Sequence, residues 1–288
     1  MANIKDLKKK IKSTKGTLKI TSAMKLVSAA KLARAQFAIT SSRPYAAELE
    51  SSIKTISALV QNYSHPYLEG NDNKRCAVLV VSSNKGLCAG FNSQLVKEVR
   101  KWTGSTELDP KLYFIGKKVM DVIKKEVNVG KKYEFAKADP TLQEITQIGN
   151  ELAAMFKTGE IGKVFVAYNV FNSAISFTPT IKQLLPMSLD EETKNAVKDE
   201  FPFDFKYEPT PEVILDDLIP QAFITTLYTS VLDSAAAEHG SRMSAMDSAS
   251  SNCKEAVRSL SIKMNKLRQA AITTELIEVV SGAESLNG

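Results

Sequence analysis

Long helical patterns lie at the two ends of the chain, and a different pattern fills the middle. Near the C-terminus, apolar and small residues alternate at spacings of three and four for more than four heptads: Met243, Met246, Ser250, Cys253, Val257, Leu260, Met264, Leu267, Ala271 and Thr274. A seam of the same period begins at the N-terminus with Ile4, Leu7, Ile11, Thr14, Leu18 and Thr21. Because each seam needs a surface to cover it, the two predict an antiparallel coiled coil made by the chain's own termini.

The middle of the chain alternates strand and helix patterns. The predicted elements, in order, are a buried strand in RCAVLVVSS (75–83), a helix over 91–102, a strand over 112–116, helices over 117–126 and 141–157, and an edge hairpin of strands 163–171 and 175–186. Strands that alternate with helices predict an α/β domain with a mostly parallel, Rossmann-like sheet. This domain is thus expected to be inserted between the two terminal helices.

Three segments follow from these patterns: an N-terminal coiled-coil helix over 1–60, an α/β domain over 74–190 and a C-terminal coiled-coil helix over 209–288. Polar, turn-rich stretches at 65–73 and 191–211 are expected to link them. Pro44 should bend or break the first helix, and Pro220 should kink the first turns of the last one.

Charge is unevenly distributed. Between Met1 and Arg43 there are eleven lysines and arginines against the single acid Asp6, whereas the whole chain carries only +6. Such a helix favours an acidic partner, which could be nucleic acid, anionic lipid or an acidic protein surface, although a solvated face is an equally ordinary explanation. The start MANIKDLKKKIK lacks the apolar segment of a secretory signal, and no run approaches the roughly 20 apolar residues of a membrane span.

Candidate chemistry is sparse. The loop 82–90 follows a strand and precedes a helix, as phosphate-binding loops do, but it has two glycines and no Gly-Lys-Ser/Thr. A tight turn is therefore the main interpretation, with nucleotide binding by an α/β enzyme as an alternative. The isolated His65 and His239 support neither a metal site nor a Ser–His–Asp triad. Three cysteines without metal-like spacing suit a reducing cytoplasm, and the sequence predicts no cofactor and no catalysis.

The last part of the C-terminal helix has a second apolar line, through Ile272, Leu276, Val279 and Val280. A helix that is apolar on more than one side is enclosed on more than one side. A core helix is the ordinary explanation, but this segment extends beyond its N-terminal mate. The pattern therefore favours insertion into a sleeve formed by other subunits.

Three stretches of the sequence resemble one family. ITSAMKLVSAAKLARAQ (20–36), SSNKGLCAGFN (82–92) and the long run from EHGSRMSAM to KLRQAAITTELIEVVSGAESL (238–286) are similar to the gamma subunit of the F-type ATP synthase, in its bacterial form. The resemblance is dense at both termini and loose in the middle. It departs from the family at Ser22, where lysine is usual, at Asn84 and Lys85, where aspartate and arginine are common, and at Pro220.

The resemblance implies a function without chemistry of its own. In this family the gamma subunit is the central rotor shaft: its terminal helices enter the hexamer of three alpha and three beta subunits, one copy per hexamer. Its foot meets the epsilon subunit and the c ring. Proton flow turns the ring, and the asymmetric shaft shifts each beta subunit between nucleotide-binding states. The expected location is the cytoplasmic face of the bacterial inner membrane, as a peripheral subunit whose membrane association runs only through the c ring.

The resemblance also assigns residues. Arg242, Arg268, Gln269, Thr273 and Glu275 match positions that contact the beta catch, where charge-assisted hydrogen bonds hold a moving loop. Met24 and Lys25 match the region that meets the acidic beta lever. Tyr207 and Glu208 match the foot on the c ring, and Leu87 and Cys88 match the face toward epsilon.

A basic coiled-coil scaffold that binds nucleic acid remains the main alternative. It explains the charge of the first 43 residues, but Phe37 is the only aromatic side chain before Tyr45. It leaves the doubly apolar C-terminus unexplained, and the shaft reading therefore predicts no nucleic acid.

Overall fold

A computed structural model describes residues 4–60, 63–135, 140–187 and 205–287 of the chain. The chain divides into two compact units, Met1–Ser28 with Arg242–Gly288 and Ala29–Ser241. The helices and strands, in chain order, are α1 (Ile4–Leu59), β1 (Arg75–Val81), α2 (Phe91–Ser105), β2 (Asp109–Ile115), α3 (Lys118–Ile123), β3 (Asn128–Tyr133), α4 (Leu142–Lys157), β4 (Lys163–Phe171), β5 (Phe177–Leu185) and α5 (Pro211–Asn287).

The Ala29–Ser241 unit is built on a five-stranded sheet with the order β3-β2-β1-β4-β5. β1 pairs in parallel with β2 and β4, β2 pairs in parallel with β3, and β5 is antiparallel to β4. β1 is central and buried on both faces, which is why its sequence is an unbroken apolar run instead of an alternating one. The expected mostly parallel sheet with an edge hairpin is confirmed.

Each face of the sheet has its own core. On one face, α2 and α3 cover side chains such as Val78, Leu112 and Phe114. On the other face, α4 and the parts of α1 and α5 in this unit cover side chains such as Leu79 and Val166. α4 begins at a capping box in which Thr141 and Glu144 each bond the other's backbone N–H.

The Met1–Ser28 and Arg242–Gly288 unit pairs the N-terminal part of α1 with the C-terminal part of α5. Thr21 bonds Ser250, and Lys25 bonds Asp247, so the two helices run in opposite directions. The seam residues of α1 from Ile4 to Thr21 are buried or half-buried, and those of α5 are too, up to Ala271. Thr274 is exposed, so the covered seam ends one position earlier than the heptad pattern. The predicted antiparallel coiled coil is confirmed.

Several local predictions are corrected. α1 continues through Pro44, so the helix does not break there, and α5 continues through Pro220. A bend at Pro44 and a kink at Pro220 stay predictions. The stretch 65–73 is more than a polar linker, because His65 and Tyr67 are buried and Tyr67 belongs to the core. β3 was not predicted, since its sequence NVGKKY lacks an apolar run. Most of the second predicted linker, 191–211, and the predicted domain end at 190 lie outside the described residues.

The boundaries 1–60, 74–190 and 209–288 stay a prediction. Within the part of the chain that is described, no helix combines the length and the apolar character needed to cross a bilayer.

Candidate functional site

Met24 and Lys25 lie on α1 where it packs against α5. The Lys25 ammonium group is 2.7 Å from the Asp247 carboxylate, and both side chains remain partly exposed. Met24 is half-buried, while the neighbouring Leu26 and Val27 are largely exposed. This level of the coil therefore offers solvent an apolar face together with a lysine whose charge is already partly balanced within the chain.

The five residues matched to the beta catch divide into two groups. Arg242 is buried, with 8% of its surface exposed, whereas Arg268, Gln269, Thr273 and Glu275 are all exposed. Along α5, Gln269 lies about 40 Å from Arg242 at 1.5 Å per residue. They cannot form a single contact. Arg242 lies close in sequence to Asp247 and thus to the Lys25 level, and the other four form a separate, more C-terminal level.

The second apolar line of α5 is open to solvent. Ile272, Leu276, Ile277, Val279 and Val280 are exposed, with Val279 at 69%. Nothing in the described chain covers them, because the covered seam of the coil passes along another side of α5 through Leu267 and Ala271. Five large apolar side chains exposed within nine residues are typical of a surface that a partner covers.

The basic start of α1 is also open. Lys8, Lys9, Lys10, Lys12, Lys15 and Lys19 are exposed, and among the residues that are described none of these six forms an ion pair with an acid. Their positive charge is therefore not neutralised by the described residues and attracts an acidic surface.

Leu87 and Cys88 lie in the loop between β1 and α2, and their side chains differ in exposure. Leu87 is 63% exposed, and both it and Ala89 have positive φ angles, of 62° and 44°. Cys88 is buried, and its Sγ accepts a hydrogen bond from Asn92 Nδ2 at 3.1 Å. Of the pair that the resemblance assigned to an epsilon contact, only Leu87 can therefore touch another molecule directly.

Several polar groups of the loop 82–90 form hydrogen bonds inside the fold. Ser83 Oγ donates to the Lys85 carbonyl at 2.8 Å, and the Ser83 N–H donates to Asn92 Oδ1 at 3.2 Å. α5 covers the carboxyl end of β1, because Ser241 and Ser234 donate to the carbonyls of Cys88 and Val81. In open α/β sheets ligands bind at this edge, and here α5 packs against it at the end of β1.

Tyr207 and Glu208 precede α5. Tyr207 is half-buried and makes an edge contact with Phe205, with ring centroids 6.3 Å apart, and Glu208 is exposed. Phe205 is itself 45% exposed. This segment thus presents an aromatic pair next to a carboxylate.

The titratable groups that sequence analysis considered for chemistry are held in structural roles. His65 lies against the rings of Tyr63 and Tyr67, and burial lowers its pKa. Burial raises the pKa of the Cys76 thiol to about 11, so this cysteine is a poor nucleophile. Across the described residues, no group of three or more His, Cys, Asp or Glu side chains is arranged to hold a metal ion.

One polar cluster was missed by sequence analysis. Arg43 of α1 and Asp233 of α5 form an ion pair, and Arg43 Nη2 also donates to the Phe171 carbonyl at the end of β4, at 3.0 Å. The Phe171 N–H donates to Asp233 Oδ1 at 3.4 Å. The available signal was Asp233 itself, an acid within a run of apolar and small residues, which is where a buried charge needs a partner.

Comparisons of this sequence with known proteins all point to one family. A sequence profile described as ATP synthase matches residues 3–286. An ATP synthase gamma chain of Geotalea daltonii is 38% identical over 291 residues, covering 100% of each chain. Another, from Anaeromyxobacter sp. strain Fw109-5, is 39% identical over 293 residues, covering 99% of this chain and 100% of its own. The chain therefore belongs to the ATP synthase gamma chain family.

Solved structures share the fold at lower identity. The rotor of the Euglena gracilis mitochondrial ATP synthase has a TM-score of 0.61 at 17% identity and covers 93% of this chain and 98% of its own. The central stalk and c ring of the Tetrahymena thermophila mitochondrial ATP synthase contain a chain with a TM-score of 0.59 at 21% identity, covering 80% and 99%. Nothing in these comparisons supports the nucleic-acid alternative.

Proposed function

We propose that this chain is the non-catalytic rotor shaft of an ATP synthase that couples ion flow through a c ring to nucleotide exchange in a head of alpha and beta subunits. The observation that carries the proposal is the open apolar face at the end of α5, from Ile272 to Val280. A helix end that its own chain leaves uncovered fits a sleeve formed by other subunits. The relatives, which are ATP synthase gamma chains over their full length, support this role.

Coupling by a shaft needs contacts that differ between rotational states, since a partner's equilibrium shifts only by its differential interaction with each state. The coil offers different faces around its axis: exposed lysines at the start of α1, apolar Leu26 and Val27, and apolar Leu276 and Val279 near the end of α5. In our proposal, acidic levers of the beta subunits meet the basic face, and an apolar sleeve encloses the end of α5.

The exposed Gln269 group and the Met24 and Lys25 group are proposed as two separate contacts with the beta subunits. Leu87 is proposed as the contact toward epsilon, and Tyr207 with Glu208 as the foot on the c ring. The non-catalytic role is supported by the loop 82–90, whose polar groups bond one another and α5. The complex would lie on the cytoplasmic face of a bacterial inner membrane.

The test is to purify the tagged chain from its native membranes and to identify and count the subunits that accompany it. Recovery of alpha, beta, epsilon and c subunits, with ATPase activity and one copy of this chain per three beta subunits, is the expected result. Recovery of the chain alone, or with nucleic acid, would overturn the proposal.

The two proposed contact levels predict a pattern in mutant activities. Lys25→Ala and Gln269→Ala should each reduce ATP synthesis while the chain still assembles, and their effects should multiply because sites more than roughly 10 Å apart act independently. Ser259→Ala, at an exposed position of α5 with no assigned contact, is the matched control. Unchanged synthesis in the double variant would contradict the catch assignment.

A further inference from the structure

α1 contains one turn whose backbone hydrogen bonding is weakened. Pro44 has no N–H, so the bond that residue 44 would donate to the Thr40 carbonyl is missing. Just before it, the hydroxyls of Thr40 and Ser41 donate to the carbonyls of Gln36 and Phe37 at 2.9 and 3.0 Å. Such back-bonding competes with the backbone ladder and often accompanies helix bending. The helix is continuous here, but residues 40–44 form a compliant turn on these grounds.

Arg43 lies inside this turn and ties it to two other elements. Its Nη2 donates to both the Phe171 carbonyl of β4 and the Asp233 carboxylate of α5. Asp233 also accepts from the Phe171 N–H, so the three residues close a ring of hydrogen bonds around the backbone N–H and C=O of Phe171 at the end of β4. The Asp233 side chain is only 7% exposed, whereas that of Arg43 is 45% exposed. The buried acceptor is thus fixed by packing, and Arg43 reaches it from the helix surface.

The position of this tie matters because of what it connects. β4 is a central strand, paired with β1 on one side and β5 on the other. α1 and α5 are the two helices that continue into the Met1–Ser28 and Arg242–Gly288 unit. A twist applied to the α/β domain is transmitted to α1 through the contacts between the compliant turn and the sheet, and the Arg43 hydrogen bonds are among these contacts. Because hydrogen bonds depend on both distance and angle, this tie resists sliding and twisting as well as separation.

We propose that Arg43, as a positioning residue, braces the compliant 40–44 turn of α1 against β4 and α5 and so sets the torsional stiffness of the rotor at this level. The mechanical half of this inference rests on the proposed rotor function. The brace itself is a property of the Ala29–Ser241 unit and does not depend on partners. Removal of Arg43 leaves a helix that is still formed but hinges at Pro44.

The brace has a specific genetic signature. Arg43→Ala should increase flexibility at the turn, and Pro44→Ala in the same chain should reverse much of that increase, because an alanine N–H can restore the bond to the Thr40 carbonyl. A residue that only contributes ion-pair stability would not be rescued in this way. Arg100→Ala is the matched control, since it removes an arginine that bonds Glu126 bidentately in the same unit but far from α1 in the sequence.

The first measurement is amide hydrogen exchange on the full chain. Arg43→Ala should speed exchange of the amides of residues 41–43 and 45–48 by about tenfold, and Arg100→Ala should leave them unchanged. The Arg43→Ala, Pro44→Ala chain should lie close to wild type at these amides. If Arg43→Ala prevents folding, Asp233→Asn keeps the shape and one acceptor oxygen and should give a smaller increase in the same amides. The brace is overturned if neither Arg43→Ala nor Asp233→Asn changes exchange in this turn. It is also overturned if Pro44→Ala does not slow exchange in the Arg43→Ala chain.

The second measurement is the angular fluctuation of a probe on the c ring of the assembled complex while the head is held fixed. Arg43→Ala should widen the angular variance by about 1.5-fold or more, with rescue by Pro44→Ala. An unchanged variance would overturn the mechanical role even if exchange changes. If the wild-type chain does not assemble into a rotor at all, the proposed function fails, and the exchange result still decides the brace.

Discussion

The hydroxyls of Ser250 and Thr21 form a buried hydrogen bond between the two helices of the coil. Ser250 Oγ donates to Thr21 Oγ1 at 2.8 Å, both residues are buried, and Thr21 in turn donates to the Leu18 carbonyl. Both residues occupy seam positions where apolar side chains would ordinarily pack. A buried polar pair at such positions costs stability relative to an apolar pair but fixes the register of two helices, because a shift would leave each hydroxyl without its partner.

This pair predicts a coupling in a double-mutant cycle. Ser250→Ala should cost about 1 kcal/mol of the free energy of unfolding, and Thr21→Val a similar amount, because each leaves one buried group with fewer bonds. The double variant should cost less than the sum of the two. Urea denaturation checks this, with Thr17→Ala, at an exposed hydroxyl on the same helix, as the control. Additive losses would mean that the hydroxyls do not interact.

Asp233 predicts a dependence on pH. Burial raises the pKa of its carboxyl above the ordinary value, although the bonds from Arg43 oppose the shift. Since the folded state binds this proton more tightly than the unfolded state, the contribution of Asp233 to stability falls as pH rises through the interval between its unfolded and folded pKa values. Arg43→Ala removes the groups that lower the pKa, so it should raise that pKa further and widen the interval.

The cost of Arg43→Ala should therefore be smaller at acid pH, where Asp233 is protonated, than at neutral pH. Urea unfolding of wild type and variant between about pH 4 and pH 7 measures the difference. In an Asp233→Asn background the carboxyl is absent, and the cost of Arg43→Ala should no longer depend on pH. A cost that varies equally in both backgrounds would assign the effect to another group.

At the scale of elements, long periodic or wholly apolar segments were predictable and short polar ones were not. The seams of α1 and α5 and the strands β1 and β4 follow from spacing and apolar runs alone. β3 could not be predicted because an edge strand with one polar side carries two lysines in six residues. Nor could spacing reveal that Arg242 is buried while Gln269 is exposed, since burial depends on which side of α5 packs inward at each level.

The chain leaves β2 at Gly116, close to the backbone that follows β1, and only glycine fits at this position. Gly116 follows β2 with a φ of 83°, and a Cβ there would lie 2.1 Å from the Ser82 carbonyl oxygen. Gly116→Ala should therefore cost about 2 to 4 kcal/mol through backbone strain and the clash together. Gly104→Ala, where a Cβ meets nothing within 4 Å inside α2, should be neutral or slightly stabilising. Thermal unfolding of both chains tests the contrast.

At the scale of the whole molecule, the described chain keeps its large apolar side chains inside at the sheet and leaves them outside at the end of α5. The sheet residues Leu79 and Val166 are fully buried, whereas Leu276 and Val280 are about 60% and 59% exposed. In the proposed function, folding of the chain is therefore stabilised by the sheet core, and assembly depends on the end of α5. A change at the end of α5 should separate the two properties.

Ending the chain after Glu275 makes that separation measurable. The truncation removes Leu276, Ile277, Val279 and Val280, which are exposed in the chain, so the midpoint of thermal unfolding should stay within about 2 °C of wild type. Recovery of the assembled complex and its ATP synthesis should fall severalfold. Burial of these side chains in the proposed sleeve would stabilise the complex by roughly 25 cal/mol per Å² of apolar surface, and the truncation removes that contribution. A shorter truncation that removes only 284–288 is the control and should leave these four side chains in place. If stability and assembly fall together, the end of α5 belongs to the fold of the chain and not to a sleeve.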